Sequence, residues 1–505
     1  YRDWSGDLFT SFMRAALNRL KVSGVASYIT ISTWTFLPTY QSMREQLLRE
    51  NCLLSVVDNG RGVWGSDHGS LMFSIQRAHV RNYMTVGKNL SRGKGKVQPL
   101  ELIERKFHAA DNVGRRQDVF LEVPSSIISV GVSENFVKLL AEGRKLSDVG
   151  DVRQGIKTGD MQRFMRYWHE VDYGNIVIDC QSACESKLIE QKWYPCNKGG
   201  EYRKWYGNLD YVLNWQSDGE EIKGFKDEGG KLRSRPQNVQ FFFKEGVTWS
   251  TVTMGKPSFR YSAIGRTFES GGSTIFFRDG FDIYFALGVI NSFLGEQAVT
   301  VLSPKVSLGE GAVSKFPLPE LAVDDASRIS KNSQQLVDLF KGVERASEAS
   351  LDFLAPAAWD VPVSSISDYY QAVVDKSSDE LSTVVFLERS NNKIVADGLG
   401  VEVEQSVDAA WEEFGVKSND CFDLARGVIS YAVGCMFGRF SLDETGLIYA
   451  RSGGVGFDSS RYLKFPADGD GIIPVTDEPW FGDDAANRVR EFVQVVWGNE
   501  TLVEN

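Results

Sequence analysis

Three apolar runs, Val25-Ala-Ser-Tyr-Ile-Thr30, Leu53-Leu-Ser-Val-Val57 and Leu71-Met-Phe-Ser-Ile75, decide the fold class of the first part of this chain. Each is short and rich in β-branched or aromatic residues, as buried strands are. A helical pattern precedes the first run: Leu8, Phe9, Phe12, Ala15, Ala16 and Leu20 recur at helical spacing within residues 7–21, and Gly24 stops it. A second helix is expected over residues 39–50, between the first two strands. Strand–helix–strand followed by a close third strand is the closing part of an α/β sheet. It is incomplete, because about a hundred residues carry too few strands for a doubly wound domain.

The remaining chain divides by composition. Residues 80–150 alternate poorly and include a basic, glycine-containing loop, Asn89-Leu-Ser-Arg-Gly-Lys-Gly-Lys96, that suits either a phosphate contact or a mobile surface. A short helix is expected over residues 133–142 as a bridge. Residues 148–320 mix short strands and turns, with one apolar helix expected over residues 281–298. The last part is expected to be mostly helical, with helices at residues 368–374, 409–414, 420–437 and 484–497. The expected division is 1–125, 126–320 and 321–505.

The chain has 505 residues, is 42% hydrophobic and 24% charged, and carries a net charge of −11. Such a length fits about three domains. No apolar run approaches the ~18 residues of a membrane span. The opening, Tyr1-Arg-Asp-Trp-Ser-Gly-Asp7, is neither a signal peptide nor an initiator, which leads to the expectation of the middle of a longer protein. Six scattered cysteines do not make a disulfide scaffold, and a reducing cytosol is the default. The charge is uneven. Residues 321–505 hold 32 acidic and 15 basic residues, a balance of −17, so the first 320 residues carry +6. An anionic partner would meet the first 320 residues, whereas the acidic end would repel it or simply keep the chain soluble.

A search for self-contained catalysis finds no Gly-x-Ser-x-Gly elbow, no P-loop and no His-Glu-x-x-His. The four histidines, His68, His79, His108 and His169, are not paired at ligand spacing. Gly60-Arg-Gly-Val-Trp-Gly65 is a loose dinucleotide-like loop with no ribose acid after it. Cys180, Cys184, Cys196 and His169 lack the paired spacing of the common zinc modules, and no metal is expected.

Residues 151–278 are more specific. Gly155-Ile-Lys-Thr-Gly-Asp160 is followed by Arg163 and Arg166, and Trp193-Tyr-Pro-Cys-Asn-Lys-Gly-Gly-Glu-Tyr-Arg-Lys-Trp205 interleaves glycine, cation and ring again. Lys231-Leu-Arg-Ser-Arg-Pro236 adds Arg233 and Arg235. Glycine lets a backbone approach an anion, arginine forks suit phosphate or guanine edges, and rings stack on bases. The plainer alternative is that the rings form the core and the cations a solvated rim.

Gly155–Asp160 with Arg163-Phe-Met-Arg-Tyr-Trp168 resembles the start of the TaqI-type specificity domain of adenine-specific DNA methyltransferases. The Trp193–Gly207 block, Lys231-Leu-Arg-Ser-Arg-Pro-Gln-Asn238, Phe243-Lys-Glu-Gly-Val-Thr-Trp-Ser250, Ser303-Pro-Lys-Val306 and Tyr431-Ala-Val-Gly-Cys-Met-Phe-Gly-Arg-Phe-Ser-Leu-Asp443 are similar to the PglX branch, the methyltransferase of BREX phage-defence systems. The resemblance covers nearly the whole chain. It implies the closing part of a Rossmann-like methyltransferase sheet, a mixed α/β target-recognition domain and a mostly helical acidic end. It sets Asp7-Leu-Phe9 and Thr33-Trp-Thr-Phe36 just after the family's catalytic Asn-Pro-Pro-Tyr. That motif and the glycine-rich loop for S-adenosylmethionine do not occur here, so no catalytic residue is assigned and no cofactor is expected on these residues.

Trp64 matches the family's aromatic beside the flipped base, or else plugs the sheet edge. Lys157, Thr158, Arg163, Lys198, Gly199, Arg203, Lys204, Trp205, Arg233, Arg235, Trp249 and Lys305 are the candidate DNA contacts. The implied partner is double-stranded DNA in a bacterial cytoplasm, with other BREX proteins or a DNA-mimicking phage inhibitor as further partners and no membrane. The alternatives are the specificity part of a fused restriction–modification enzyme, and an interaction module of a defence complex docking through its acidic end.

Overall fold

The computed structural model describes residue 4 and residues 6–60, 62–63, 69–90, 99–109, 112–129, 133–252, 256–303, 307–403, 409–418, 420–478 and 480–498. Its first layer is a five-stranded sheet of β1 (Val25–Ile31), β2 (Cys52–Gly60), β3 (Ser70–Gln76), β4 (Met84–Asn89) and β5 (Val113–Arg116), in the order β1-β3-β2-β4-β5. Antiparallel β3 lies between β1 and β2, which run in the same direction, and β2 pairs parallel with β4. Helix α1 (Leu8–Arg19) begins where the Asp7 carboxylate caps its first turn, and α2 (Gln41–Glu50) crosses between β1 and β2. The three runs read from the sequence are therefore β1, β2 and β3. They share a core with Trp34, Met43, Leu47 and Phe120. Fully buried Arg44 makes no ion pair among the described residues, with only the Glu45 charge nearby. Its guanidinium donates to the carbonyls of Trp34, Leu37, Ser125 and Ser126, tying the end of this layer to its start. Burial pushes the group down to about 10, so it stays charged at neutral pH.

The middle region holds two four-stranded sheets. One orders as β12-β8-β9-β7, from β7 (Met165–Tyr167), β8 (Trp193–Asn197), β9 (Tyr211–Asn214) and β12 (Thr267–Phe268). The other orders as β11-β10-β13-β6, from β6 (Gly150–Arg153), β10 (Gly246–Trp249), β11 (Phe259–Ser262) and β13 (Thr274–Phe277). Helix α3 (Leu100–Ala109) belongs to the first layer, and α4 (Glu134–Glu142), capped by Ser133, is the bridge into the middle region.

The single helix expected over residues 281–298 is instead two, α5 (Ile283–Ile290) and α6 (Phe293–Leu302), bent by 68°. The break has a local cause. Ser292 caps α6, and the Asn291 carboxamide both donates to and accepts from the backbone of Phe259, at 2.9 and 3.0 Å, locking the bend to β11. The pair is mostly buried, and among the described residues no single helix is long and apolar enough to cross a membrane.

Two long helices dominate the last part: α7 (Val323–Arg345) and α8 (Ile366–Leu399), followed by α9 (Cys421–Met436) and α10 (Ala485–Trp497). Residue 320 is not a packing boundary. Ile329, Leu336 and Phe340 of α7 and Val384, Leu387 and Val395 of α8 share one core with Trp205, Trp249 and α5. A separate core gathers Tyr369 and Val373 of α8 with Tyr431, Phe440, Phe492 and Trp497. The acidic part is thus half annexed to the middle region, and α8 belongs to both cores.

Candidate nucleic-acid interface

The segment 155–160 owes its shape to contacts within the protein. Gly159 has φ +76°, and a side chain there would meet the Arg233 carbonyl at 2.6 Å. Lys157 and Arg235 exchange backbone hydrogen bonds at 3.1 and 2.8 Å, so this turn and the Arg233–Arg235 strand lie side by side. The Asp160 carboxylate accepts from the Arg163 amide at 3.1 Å and starts a single helical turn, Met161–Phe164. That turn brings the Arg163 guanidinium to 5.0 Å from the Phe225 ring, which Arg233 approaches at 5.4 Å. Lys157, Arg163, Arg233 and Arg235 are exposed and form one patch around half-buried Phe225. Arg163 is paired with Glu221 at 2.7 Å. Among the described residues no carboxylate lies within ion-pair distance of Lys157, Arg233 or Arg235. Cations held close without acidic partners repel one another, a cost that a polyanion removes.

The Lys198–Trp205 block divides. Lys198 is half-buried, with its ammonium 3.9 Å from the centroid of Tyr211. Gly199 is buried at φ +92°, and its missing side chain leaves room for the Gly271 carbonyl, which a Cβ would meet at 2.5 Å. That glycine therefore admits another loop of the protein, not an anion. Beyond it the block becomes a seam against α7 and α8. Lys204 is 6% exposed and sits 2.6 Å from Glu388, whose carboxylate also accepts from the Trp205 indole at 2.7 Å. Arg203 faces Glu344 at 3.6 Å, and Arg266 faces Asp352 at 3.9 Å. Arg260, 1% exposed, donates to the Arg203 carbonyl and is pushed down to about 10 by burial and by neighbouring Arg203. Burial raises the Glu344 carboxyl, with Arg203 opposing the shift.

These placements correct the sequence reading. Trp205 and Trp249 are 1% and 0% exposed, and their rings belong to the shared core rather than to a stacking surface. The Trp249 indole donates to the Leu308 carbonyl. A buried ring of this size takes roughly 150–250 Å² out of water, worth roughly 4–6 kcal/mol at about 25 cal/mol per Å². Thr158 is 3% exposed, and Lys204 is neutralised in the seam. Trp64 and Lys305 lie outside the described residues. Cys180 and Cys196 are buried and Cys184 exposed, and burial pushes the Cys196 thiol up to about 12.

The sequence reading missed Tyr211 and Phe225, and weighed His169 only as a metal ligand. Tyr167 and Tyr211 are direct cross-strand partners on β7 and β9, with centroids 4.6 Å apart. His169 stacks on the other side of Tyr167 at 5.5 Å. Tyr211 is far from the other two rings in the chain, so the pairing register was the signal needed, and one sequence does not supply it.

No family model matches the chain. It is 30% identical over 544 residues to the adenine-specific methyltransferase BrxX of Escherichia coli O9:H4 (strain HS), covering 100% of this chain and 42% of that protein. It is 28% identical over 519 residues to the adenine-specific methyltransferase PglX of Lacticaseibacillus casei (strain Zhang), covering 99% and 42%. The resemblance to PglX-type methyltransferases thus runs the whole length of the chain, and the chain spans about two fifths of the length of the curated relatives it matches. Among solved structures, the type IIL restriction-modification enzyme MmeI in complex with DNA is similar with a TM-score of 0.42 at 9% identity, over 79% of this chain and 49% of that one. A nuclease-deletion mutant of the type ISP enzyme LlaGI in complex with a DNA substrate mimic gives 0.37 at 11%, over 66% and 31%.

Proposed function

We propose that this chain is the DNA-recognition part of a site-specific adenine-N6 DNA methyltransferase of a BREX anti-phage system, working in a bacterial cytoplasm. The observation that carries the reading is the patch of Lys157, Arg233 and Arg235, exposed and without acidic partners among the described residues, in a chain related along its length to adenine-specific methyltransferases. Phosphate contacts hold a protein in register on the duplex, and side chains then read base edges or shape. In that division the patch positions the DNA.

S-adenosylmethionine would supply the methyl group, but the described residues do not fit it. At the end of β1 the chain turns into a one-turn helix, Ser32–Thr35, whose Trp34 is buried at 0% exposure. Neither the Asn-Pro-Pro-Tyr motif nor a donor-binding glycine loop occurs in the 505 residues. Methyl transfer accordingly falls to residues outside this sequence, and these 505 alone are expected to be inactive.

Replacing Lys157, Arg233 and Arg235 together by alanine should weaken duplex binding at low salt. It should also lower the slope of log affinity against log salt by about 0.9 for each phosphate no longer neutralised. Folding stability should change by no more than about 0.5 kcal/mol for each exposed site. Unchanged affinity and slope would remove the patch from the DNA surface.

A further inference from the structure

The segment that carries Lys157 and Arg163 continues into β7 and ends in a second exposed feature. Lys198, Tyr211, Tyr167 and His169 form a continuous stack. The ammonium sits 3.9 Å from the Tyr211 centroid, the two tyrosines stack at 4.6 Å, and the imidazole lies on Tyr167 at 5.5 Å with an interplanar angle of 11°. The Tyr211 hydroxyl donates to the Tyr167 hydroxyl at 3.0 Å. The Trp168 and His169 rings meet at 87°, and the Trp168 indole is anchored to the Ala349 carbonyl. Tyr167 is 42% exposed, and His169 is exposed. Among the described residues Lys198 has no carboxylate in ion-pair distance.

A folded protein gains little from ordering rings at its surface, since they bury little area there. What order does provide is preorganisation: a partner that stacks on a fixed ring loses less freedom than one that must fix it. Both faces of each tyrosine are taken, Tyr211 by Lys198 and Tyr167, and Tyr167 by Tyr211 and His169. Among the described residues no second ring stacks parallel on the imidazole, so His169 is where the stack can grow.

We infer that the outer face of His169 receives an unpaired nucleobase of bound DNA, with the cation-capped tyrosine stack beneath it as a rigid support. This rests on the DNA-recognition reading and deepens it. An enzyme acting on an amino group of adenine removes that base from the duplex and leaves unstacked base surface behind. Stacking suits such a partner because every base has a π face.

The test uses the whole 505-residue chain and two duplexes identical except for one bulged adenine. The wild type should bind the bulged duplex more tightly by about ten-fold, the worth of one base stack. His169→Ala should erase that preference while keeping affinity for the paired duplex, and His169→Phe should keep it. If the wild type binds both duplexes equally, or His169→Ala retains the preference, or His169→Phe loses it, the stacking role is overturned and the patch reading stands. If neither duplex binds and alanines at Lys157, Arg233 and Arg235 change nothing, the DNA-recognition reading fails itself.

Discussion

Two groups of cations lie close in sequence and meet opposite fates. Lys157, Arg233 and Arg235 face solvent around Phe225 without acidic partners among the described residues, whereas Arg203, Lys204, Arg260 and Arg266 are closed under α7 and α8 by Glu344, Asp352 and Glu388. The residue types are the same, and so is the neighbourhood of glycine and aromatic residues. The difference is whether a distant acidic helix folds over them. Part of the strong negative charge of residues 321–505 is thus spent inside the molecule, neutralising the middle region, and the positive charge left over is concentrated at the patch.

Glu388→Ala offers the largest way to break this contrast. It strands a buried ammonium and an indole donor together, and should cost about 3–5 kcal/mol in urea unfolding. The same measurement on the triple alanine variant of the patch should show almost no loss. If both are equally mild, the seam is not a structural element. A smaller effect separates the two groups by pH. Burial raises the Glu344 carboxyl above its ordinary 4.5, so the folded state holds that proton to higher pH than the unfolded chain does. Its contribution is fully present at pH below the ordinary value and is lost as pH rises through the raised one. Glu344→Gln, neutral throughout, should therefore gain stability relative to wild type on going from pH 4 to pH 7; a constant difference would contradict this. The smallest effect concerns Arg163, whose exposed pair with Glu221 is worth about 0.2–1 kcal/mol. Arg163→Ala should barely change stability, and should weaken DNA binding less than any of the three unpaired cations, which sharpens the line between paired and free charge.

The sequence made much of the fold legible where local pattern was enough. The runs that became β1, β2 and β3, and the helices α1, α4, α9 and α10, all lay within stretches whose own pattern announced them. It failed where distant residues decide. The α5–α6 bend needs Asn291 to reach Phe259, and α7 went unpredicted because its polar residues, among them buried Asn332 and Ser333, face α8 and blur the apolar stripe. At the site, Lys157, Arg163, Arg233 and Arg235 were visible only as members of a longer candidate list. Trp205 and Trp249 misled because a ring beside a cation reads alike in a core and on a surface. Only tertiary contacts show which it is, and the same holds for Lys204, whose partner Glu388 lies 184 residues away.

Helix α8 sets a constraint of another kind. Its first half belongs to the core with Tyr431 and Trp497, and its second half to the core with Trp205 and Trp249. With 34 residues at ~1.5 Å each it is a shaft about 50 Å long that fixes the angle between two bodies as a key fixes a wheel. One residue inserted between Val373 and Val384 would turn one body against the other by about 100°. Loops elsewhere in the chain can change length without turning these two bodies, but this shaft cannot.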